Sequence, residues 1–192
     1  MHGCAFNFFS VKIPAVAAIM SSIYHWTNAM QCNASICIDG NYTQAGDCGG
    51  LCHTQHEPAP WLAIEVQDPV YSVTIYNREG VNGGRFKNAE VRVTDHLPSS
   101  GDSMYLGGKL LGSFTGPGTG GQVINITGVK PLMGRYVLIQ MSNANEPLNL
   151  LEVDVFSKSP QGEHNNQIRY CLFNLEASLY PTPESQSQKF HK

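Results

Sequence analysis

Two runs of alternating side chains, separated by a glycine-rich loop, constrain the fold of this chain more than any other feature. In residues 71–76 and again in residues 89–94, apolar or aromatic residues alternate with other side chains. A period of two is typical of half-buried β-strands. The loop between the runs contains Gly80, Gly83 and Gly84, and glycine tolerates the positive φ angles found in tight loops. The pattern therefore predicts a strand, a structured loop and a second strand.

Two arginines, Arg78 and Arg85, lie at the edges of this loop. Held by a rigid strand-loop-strand unit, two guanidinium groups can reach one small ligand. Their planar forks suit adjacent oxygen atoms, whether hydroxyls or carboxylates. The alternative is a pair of solvated surface arginines, because charged side chains are mostly exposed. Upstream, His53 adds an imidazole to this set of candidate ligand-binding groups.

The rest of the chain also predicts β-structure. Short strands are indicated at residues 61–67, 122–127, 136–141 and 150–156, between turns rich in glycine and proline and without helical periodicity. With 192 residues, 42% of them apolar, the chain is long enough for one domain with a full core. We expect an all-β antiparallel sandwich. Eight residues are predicted to be mostly buried: Trp61, Val73, Ile75, Val91, Val93, Val137, Ile139 and Val153.

Composition and motifs argue against several functions. The net charge of −3 provides no basic field for nucleic acid or anionic membranes, and no run of 18 apolar residues predicts a transmembrane helix. The chain has no G-x-S-x-G, HExxH or P-loop motif. Glu152 and Asp154 share one strand face and do not resemble a glycosidase pair across a cleft. A binding module is therefore favoured over an enzyme.

An ordered set of segments resembles the F-type lectin (fucolectin) family of the discoidin-like superfamily. These segments, from about Pro14 to Phe156, are SSIYHW, CIDGN, CHT, PWLAIEV, VTIYNR, NAEVRV, GRYVLIQM and LNLLEVDVF. In that family a His followed by Arg-x-Asp-x4-Arg binds L-fucose. Here the corresponding residues are His53, Arg78 and Arg85. The resemblance implies a jelly-roll β-sandwich of the discoidin, or galactose-binding-like, type.

The resemblance also implies a sugar site and its partners. His53, Arg78 and Arg85 would bind the hydroxyl groups and ring oxygen of an L-fucose-type terminal sugar, with an imidazole N–H among the donors. Fucosylated glycans are the expected partners. The methyl group of the sugar needs an apolar contact, for which there are three candidate residues: Tyr24, Trp26 and Val81.

Three departures from the family pattern bear on that site. Gly80 stands where the family usually has an Asp that supports the arginines. Val81 and Asn82 stand where the best-known members have two adjacent cysteines, and Ala63 where an Arg is common. The alternative function is therefore a discoidin-like adhesion or interaction module that has lost fucose binding and contacts protein or membrane through its loops.

A calcium site is indicated by the segment 38–41, in which oxygen-bearing side chains flank a glycine turn. Such a group suits Ca²⁺, a hard cation that takes several oxygen ligands, although an ordinary Asp-Gly turn has the same sequence. The family resemblance implies a structural Ca²⁺ that clamps the loop 41–53 onto the last strand. Its implied ligands are the side chains of Asp39, Asn41 and Glu152 and main-chain oxygens near Ile36, Gly50 and Leu151.

The cysteines leave several pairings open. Four of the six lie between positions 32 and 52, and six cysteines allow fifteen connectivities. Cys32–Cys37 and Cys48–Cys52 are the pairs that would close short loops. A zinc site with the neighbouring histidines His53 and His56 is the rival hypothesis, although the spacing lacks two CxxC-type knuckles. The family commonly links the cysteine before its CHT motif to one in the last strand, but here that position is Leu151.

Glycosylation sequons and cysteines indicate the compartment in which the protein works. Glycosylation sequons begin at Asn33, Asn41 and Asn125, and together with the cysteines they favour a secreted glycoprotein.

The uncertain segment 1–20 has three interpretations. It is a secretory signal, although Lys12 and Pro14 interrupt the apolar part, or it is the family's opening strand, or it is a truncated start. Residues 21–156 are the predicted lectin domain. The polar residues 157–192 are predicted to be disordered, apart from a candidate short helix in IRYCLFNLEASLYP. The sequence neither requires nor excludes a homo-oligomer.

Overall fold

The computed structural model describes residues 8–27, 30–46, 48–142 and 145–160. Within these ranges the chain forms twelve β-strands and two 3₁₀ helices, and it has no helix that is long and apolar enough to cross a membrane. The strands are β1 (Phe8–Ile13), β2 (Ala17–Met20), β3 (His25–Thr27), β4 (Met30–Gln31), β5 (Cys52–His53), β6 (Trp61–Glu65), β7 (Val70–Asn77), β8 (Ala89–Thr94), β9 (Lys109–Phe114), β10 (Val123–Leu132), β11 (Tyr136–Met141) and β12 (Asn149–Pro160). The 3₁₀ helices are Ala34–Ile38 and Val81–Arg85.

The strands form a sandwich of two five-stranded sheets. One sheet has the order β1-β12-β7-β10, with β5 also paired to β12, and the other has the order β2-β6-β11-β8-β9. The pairings of β6, β7, β8 and β11 with their neighbours are antiparallel. Strands β3 and β4 form a separate short ribbon. The antiparallel β-sandwich that the sequence predicted is therefore confirmed.

The compact unit of the sandwich runs from Ser10 to Lys158. It includes most of residues 8–20, whose status the sequence left open: they form β1 and β2, at the edges of the two sheets. A second unit comprises residues 1–9 and 159–192, of which the structure describes only the ends of β1 and β12. The expectations of disorder and of a short helix after residue 160 lie outside the described residues, as do Cys4 and Cys171.

The core lies between the sheets, where the alternating pattern placed it. All eight residues that were predicted to be buried are buried, so that expectation is confirmed. Strand β11 is buried along its whole length. One face of β11 joins the main core. On the other face, Leu138 packs with Trp61 and Ala63 in a second cluster. Leu97 and Tyr105 pack against that cluster.

A β-bulge near the start of β12 determines which of its side chains leave the core. Leu150 pairs with Asn77 and Glu152 with Tyr76, so that Leu151 is an extra residue on β12. Leu150 lies in the core, as does Val153 three residues later. A strict alternation would bring Glu152 into the core with Leu150. The bulge shifts the alternation by one residue, which is how such features re-aim a side chain, and Glu152 faces away from the core.

The expected disulfides are wrong. Cys32 pairs with Cys48 and Cys37 with Cys52, over Cα separations of 4.8 and 5.4 Å. Those distances suit disulfides. The 3₁₀ helix Ala34–Ile38 rises about 2.0 Å per residue, so it carries Cys37 away from Cys32 and into the core beside Cys52. Since all four sulfur atoms are in disulfides, the zinc hypothesis fails for these residues.

Truncation of a core side chain in β11 tests this packing. We expect Leu138→Ala, which removes a fully buried side chain, to lower the free energy of unfolding by about 2–5 kcal/mol. The same substitution at Leu106, which is 74% exposed, should change it by no more than about 0.5 kcal/mol. Urea denaturation of both variants measures the difference, and equal losses would contradict the described core.

Candidate functional site

Strands β5, β12 and β7 bring two of the predicted sugar-binding residues to one end of the sandwich. His53 on β5 pairs with Asn149 on β12, and the next residue of β12, Leu150, pairs with Asn77 at the end of β7. Arg78 follows directly. The register of three neighbouring strands therefore places His53 and Arg78 at the same sheet end, although 24 residues separate them in sequence.

The segment before β12 continues the pairing beyond His53. The main-chain N–H of Thr54 donates to Leu148 O over 2.9 Å, and Leu148 N–H donates to Thr54 Oγ1 over 2.9 Å. Farther out, Glu57 and Glu146 form an isolated antiparallel bridge. The loop that contains Glu146 is thus fixed to the strand segment that carries His53.

Both ring nitrogens of the buried His53 contact neighbouring groups. Nδ1 lies 2.6 Å from the carbonyl oxygen of Thr54, which can only accept a hydrogen bond, so Nδ1 carries the proton in the neutral ring. Asn149 Nδ2 donates to Nε2 over 3.2 Å. The imidazole is therefore fixed in one tautomer and one orientation by groups on either side of it.

An aromatic surface adjoins His53. The ring of Tyr24 lies 4.6 Å from the imidazole, centroid to centroid, and 6.5 Å from the ring of Trp26. Tyr24 is half-buried and Trp26 is exposed. Val81, the third candidate for an apolar contact, is 99% exposed at the start of the second 3₁₀ helix. A ligand can therefore reach Trp26 and Val81 freely and Tyr24 in part.

The two arginines differ in exposure. Arg78 is buried, and its Nε donates to Glu79 O over 3.5 Å. Arg85 is half-buried at the end of the second 3₁₀ helix, with its Nε 3.6 Å from Glu146 Oε2. Because Glu146 belongs to the loop fixed against the His53 strand, this ion pair brings Arg85 to the same end as Arg78.

Close main-chain packing shapes the arginine loop. A Cβ on Gly83 would lie 2.4 Å from the nitrogen of Gly120, and one on Gly120 would lie 2.5 Å from the oxygen of Gly80. Buried Asn77 joins the two loops by donating from Nδ2 to Gly83 O over 2.8 Å and to Thr119 O over 2.9 Å. Glycine is needed where backbones approach this closely.

Gly80 holds a conformation that suits only glycine. Its φ is 76° and its ψ is −167°, a region that side chains with a Cβ occupy only under strain. The space around a Cβ at this position is open. The departure from the family's Asp is therefore accompanied by a loop backbone in which an Asp would be strained.

The predicted calcium ligands Asp39 and Glu152 also lie close together. Gly40 N–H donates to Glu152 Oε1 over 3.2 Å, and Asp39 Oδ1 accepts from Asn41 N–H over 2.8 Å in a tight turn. The side chain of Asn41 faces elsewhere, because its Oδ1 accepts from the main chain and hydroxyl of Thr43 over 3.1 and 2.7 Å.

The environment of Glu152 favours a cation. Burial raises the pKa of Glu152 to about 7, and the charges of Asp154 and Asp39 act in the same direction, while the Gly40 N–H opposes them. Glu152 Oε2 is buried without a hydrogen-bond partner. A cavity of about 290 Å³ beside it is also lined by Asp39 and Gly40. A carboxylate that is costly to ionise, with an unpartnered oxygen and a second carboxylate nearby, fits a divalent cation.

The remaining predicted calcium ligands are main-chain groups. Leu151 is the bulged residue of β12, Ile36 lies in the first 3₁₀ helix, and Gly50 has a φ of 99°. Among the described residues there is no cluster of three or more His, Cys, Asp or Glu side chains around one position. A metal here would depend on two carboxylates supplemented by amide and carbonyl oxygens.

A polar cluster beside Glu152 was missed by sequence reasoning. The Asp154 carboxylate pairs with Lys12 and accepts from the hydroxyls of Tyr42, over 3.1 Å, and Tyr76, over 3.3 Å. Burial, followed by the Asp154 charge, raises the pKa of Tyr76, so its hydroxyl remains a donor. The cluster ties the turn after Asn41 to the sheet. The one signal of this cluster in the sequence is that Glu152 and Asp154 alternate with the apolar residues Val153 and Val155, which places both carboxylates on the same face of the strand.

A second missed residue, Gln44, connects the two candidate sites. Its Oε1 accepts from Glu79 N–H over 2.8 Å, and Glu79 follows Arg78 in the arginine loop. Gln44 belongs to the loop between the Asp39 turn and His53. A contact of this kind between two loops has no periodic pattern by which sequence could reveal it.

Comparisons with known proteins agree with the β-sandwich fold. No family model matches this chain. The fucolectin of Anguilla anguilla is 29% identical over 145 residues, which cover 74% of this chain and 88% of that protein. The pentraxin fusion protein of Xenopus laevis is 31% identical over 127 residues, 62% of this chain and only 28% of that relative. The crystal structure of an F-lectin (fucolectin) from striped bass (Morone saxatilis) serum is 26% identical, with a TM-score of 0.61 over 73% of this chain and 46% of that chain.

Substitutions at Gly80 test the backbone of the arginine loop. We expect Gly80→Ala and Gly80→Asp each to lower the free energy of unfolding by about 1–3 kcal/mol, because both place a Cβ on a backbone that suits only glycine. Gly84→Ala, in the same loop, would place its Cβ 3.8 Å from the nearest neighbouring atom, the oxygen of Gly118, and should be close to neutral. Chemical denaturation provides the measurement. A Gly80→Asp variant as stable as the parent would contradict the described conformation.

Proposed function

We propose that this chain is a carbohydrate-binding lectin of the F-type family rather than an enzyme, and that it recognises L-fucose-type terminal sugars with the help of a structural Ca²⁺. The observation that supports the sugar site best is the strand register that gathers His53 and Arg78 at one sheet end. The ion pair of Arg85 with the loop before β12 adds the third residue. Fucosylated glycans are the proposed partners.

The roles of the three residues follow from their hydrogen-bonding capacity. Guanidinium groups only donate, so Arg78 and Arg85 would donate to sugar hydroxyls or to the ring oxygen. The expectation that His53 also donates changes, because its Nδ1 proton is directed at Thr54 O. We assign Nε2 an acceptor role instead, with a sugar hydroxyl sharing or replacing the Asn149 donor. The apolar methyl group would rest on the surface of Tyr24, Trp26 and Val81.

The proposed Ca²⁺ would be held by Asp39 and Glu152 and by oxygens near them. It would compensate the charge of the buried Glu152 and join the Asp39 turn to β12. Asn41 would serve as a ligand only if its side chain left Thr43. The contact of Gln44 with Glu79 offers a path by which a more rigid turn would also steady the arginine loop.

We also propose an extracellular setting. Two disulfides within the described residues favour an oxidising compartment. The sequon asparagines Asn33, Asn41 and Asn125 are all exposed, as glycan attachment requires. Asn41 cannot both carry a glycan and bind a cation, so glycosylation there would compete with the calcium site.

A discoidin-like interaction module without fucose binding remains the second candidate function. It is favoured by the burial of His53 and Arg78, by the contacts on both ring nitrogens of His53, and by the absence of an acid at Gly80. The sugar titration described next separates the two functions.

Titration with L-fucose tests the sugar site. We expect the intact protein to bind with a Kd of about tens of micromolar to millimolar, since one monosaccharide makes few contacts. Arg85→Ala should weaken binding about 10- to 150-fold, because charge-assisted hydrogen bonds of about 1.5–3 kcal/mol are lost. Calorimetry gives the Kd values.

Arg135→Ala provides the matched control for this titration. Arg135 is exposed and pairs with Glu65 over 3.0 Å at the opposite end of the sandwich, so its loss should leave the Kd for fucose unchanged. A well-folded parent that shows no fucose binding would exclude the fucose lectin and leave the interaction module.

Thermal unfolding with and without Ca²⁺ tests the metal proposal. A cation that binds only the folded state adds about 2.7 kcal/mol at a hundredfold excess over its Kd, which corresponds to a Tm increase of about 5–10 °C for a domain of this size. Glu152→Gln should remove most of that increase, whereas Glu90→Gln, at an ion pair on β8, should retain it. If EDTA and Ca²⁺ leave the Tm of the parent unchanged, the calcium proposal is wrong.

A further inference from the structure

The acid that supports Arg85 comes from a different loop than the family resemblance implies. Gly80 stands where an Asp is expected, but the Nε of Arg85 faces Glu146 Oε2 over 3.6 Å. We propose that Glu146 is a positioning residue of the sugar site, which orients the Arg85 guanidinium for the ligand in place of an acid at position 80. This inference rests on the proposed sugar-binding function.

The backbone at position 80 disfavours an acid there. With a φ of 76° and a ψ of −167°, the loop is built for glycine at this position. Gly80 also lies against Gly120, in the close packing of the two loops. An Asp at this position would strain that backbone, and in the described structure the carboxylate that faces Arg85 is that of Glu146.

The loop that carries Glu146 is held firmly enough to orient a partner. Glu146 bridges to Glu57, whose own carboxylate accepts the hydroxyl of Ser22. On one side of Glu146, Asn145 O contacts His56 Nδ1 over 3.3 Å. On the other side, the paired segment continues through Leu148 to the strand partner of His53. A carboxylate on such a segment has a fixed position relative to His53.

The geometry of the ion pair leaves the ligand-facing part of the guanidinium available. Glu146 approaches the Nε edge of Arg85, while the two Nη groups form the outer fork that suits adjacent hydroxyls. Among the described residues, Glu146 is the one carboxylate within ion-pair distance of Arg85. The side chains of Arg85 and Glu146 are 28% and 31% exposed, so solvent screens this pair less than a fully exposed one.

The test compares Glu146→Gln and Glu146→Asp with the parent by fucose titration. Glu146→Gln keeps the size of the side chain and removes its charge, and we expect the loss of this partly exposed ion pair to weaken fucose binding about three- to fivefold. Glu146→Asp keeps the charge and should retain more affinity than Glu146→Gln. Glu65→Gln is the control: it removes the carboxylate from a comparable Arg–Glu pair at the opposite end, and should leave the Kd unchanged within twofold.

A second readout reports on Arg85 without any sugar. The Nε–H signal of Arg85 in a ¹H–¹⁵N spectrum, assigned by its loss in Arg85→Lys, should shift and broaden in Glu146→Gln and remain in place in Glu65→Gln. This distinguishes loss of orientation at Arg85 from a general loss of stability, which thermal unfolding of each variant measures.

Each outcome decides the inference. Weaker binding together with a changed Arg85 signal supports it. Equal affinities for the parent and Glu146→Gln, or equal losses in Glu146→Gln and Glu146→Asp, overturn it and leave the fucose lectin intact. If the folded parent does not bind fucose, the proposed function fails, and the positioning role of Glu146 in sugar binding fails with it. An unchanged Arg85 signal in Glu146→Gln would then show that the ion pair does not orient Arg85 at all.

Discussion

The pairing of the first four residues of β12 is the constraint on which both candidate sites depend. Asn149 pairs with His53, Leu150 pairs with the residue before Arg78, and the bulge at Leu151 turns Glu152 out of the core. A slip of one residue in a strand moves every side chain to the opposite face. It would separate His53 from Arg78 and bury the Glu152 carboxylate in the core. The proposed sugar site and the proposed cation site therefore depend on the same strand register.

The arginine loop shows how a site can be rigid without a regular element of useful length. The 3₁₀ helix Val81–Arg85 is only five residues long and cannot hold its position by its own hydrogen bonds. The loop is held from outside, by the Asn77 side chain, by glycine-to-glycine contact with the segment 118–121, and by Gln44. The contacts from segment 118–121 and from Gln44 come from parts of the chain remote in sequence, so the positions of the arginines depend on several loops at this end of the sandwich.

The features that the sequence predicted are those with a local pattern. Alternation located β7, β8 and β11 and the buried residues within them, because a period of two follows directly from strand geometry. The pattern also placed Glu152 and Asp154 on one face. The disulfides were mispredicted because the choice of partner depends on a short 3₁₀ helix that moves Cys37 away from Cys32, and spacing alone contains no such information. Glu146 and Gln44 were missed for a related reason, since each acts on a residue in another loop.

Buried polar atoms without hydrogen-bond partners lie beside both proposed sites. Within the described residues, two buried side-chain oxygens make no hydrogen bond: Asn77 Oδ1 and Glu152 Oε2. An orphaned buried polar atom costs about 1–3 kcal/mol, so a fold retains few of them and each calls for an explanation. One lies at the base of the arginine loop and the other beside the Asp39 turn, whereas the buried polar side chain of Gln140 in β11 makes three hydrogen bonds. The two unsatisfied buried side-chain atoms of the described residues therefore lie where ligands are proposed, which is the distribution expected if binding, rather than stability, determines these residues.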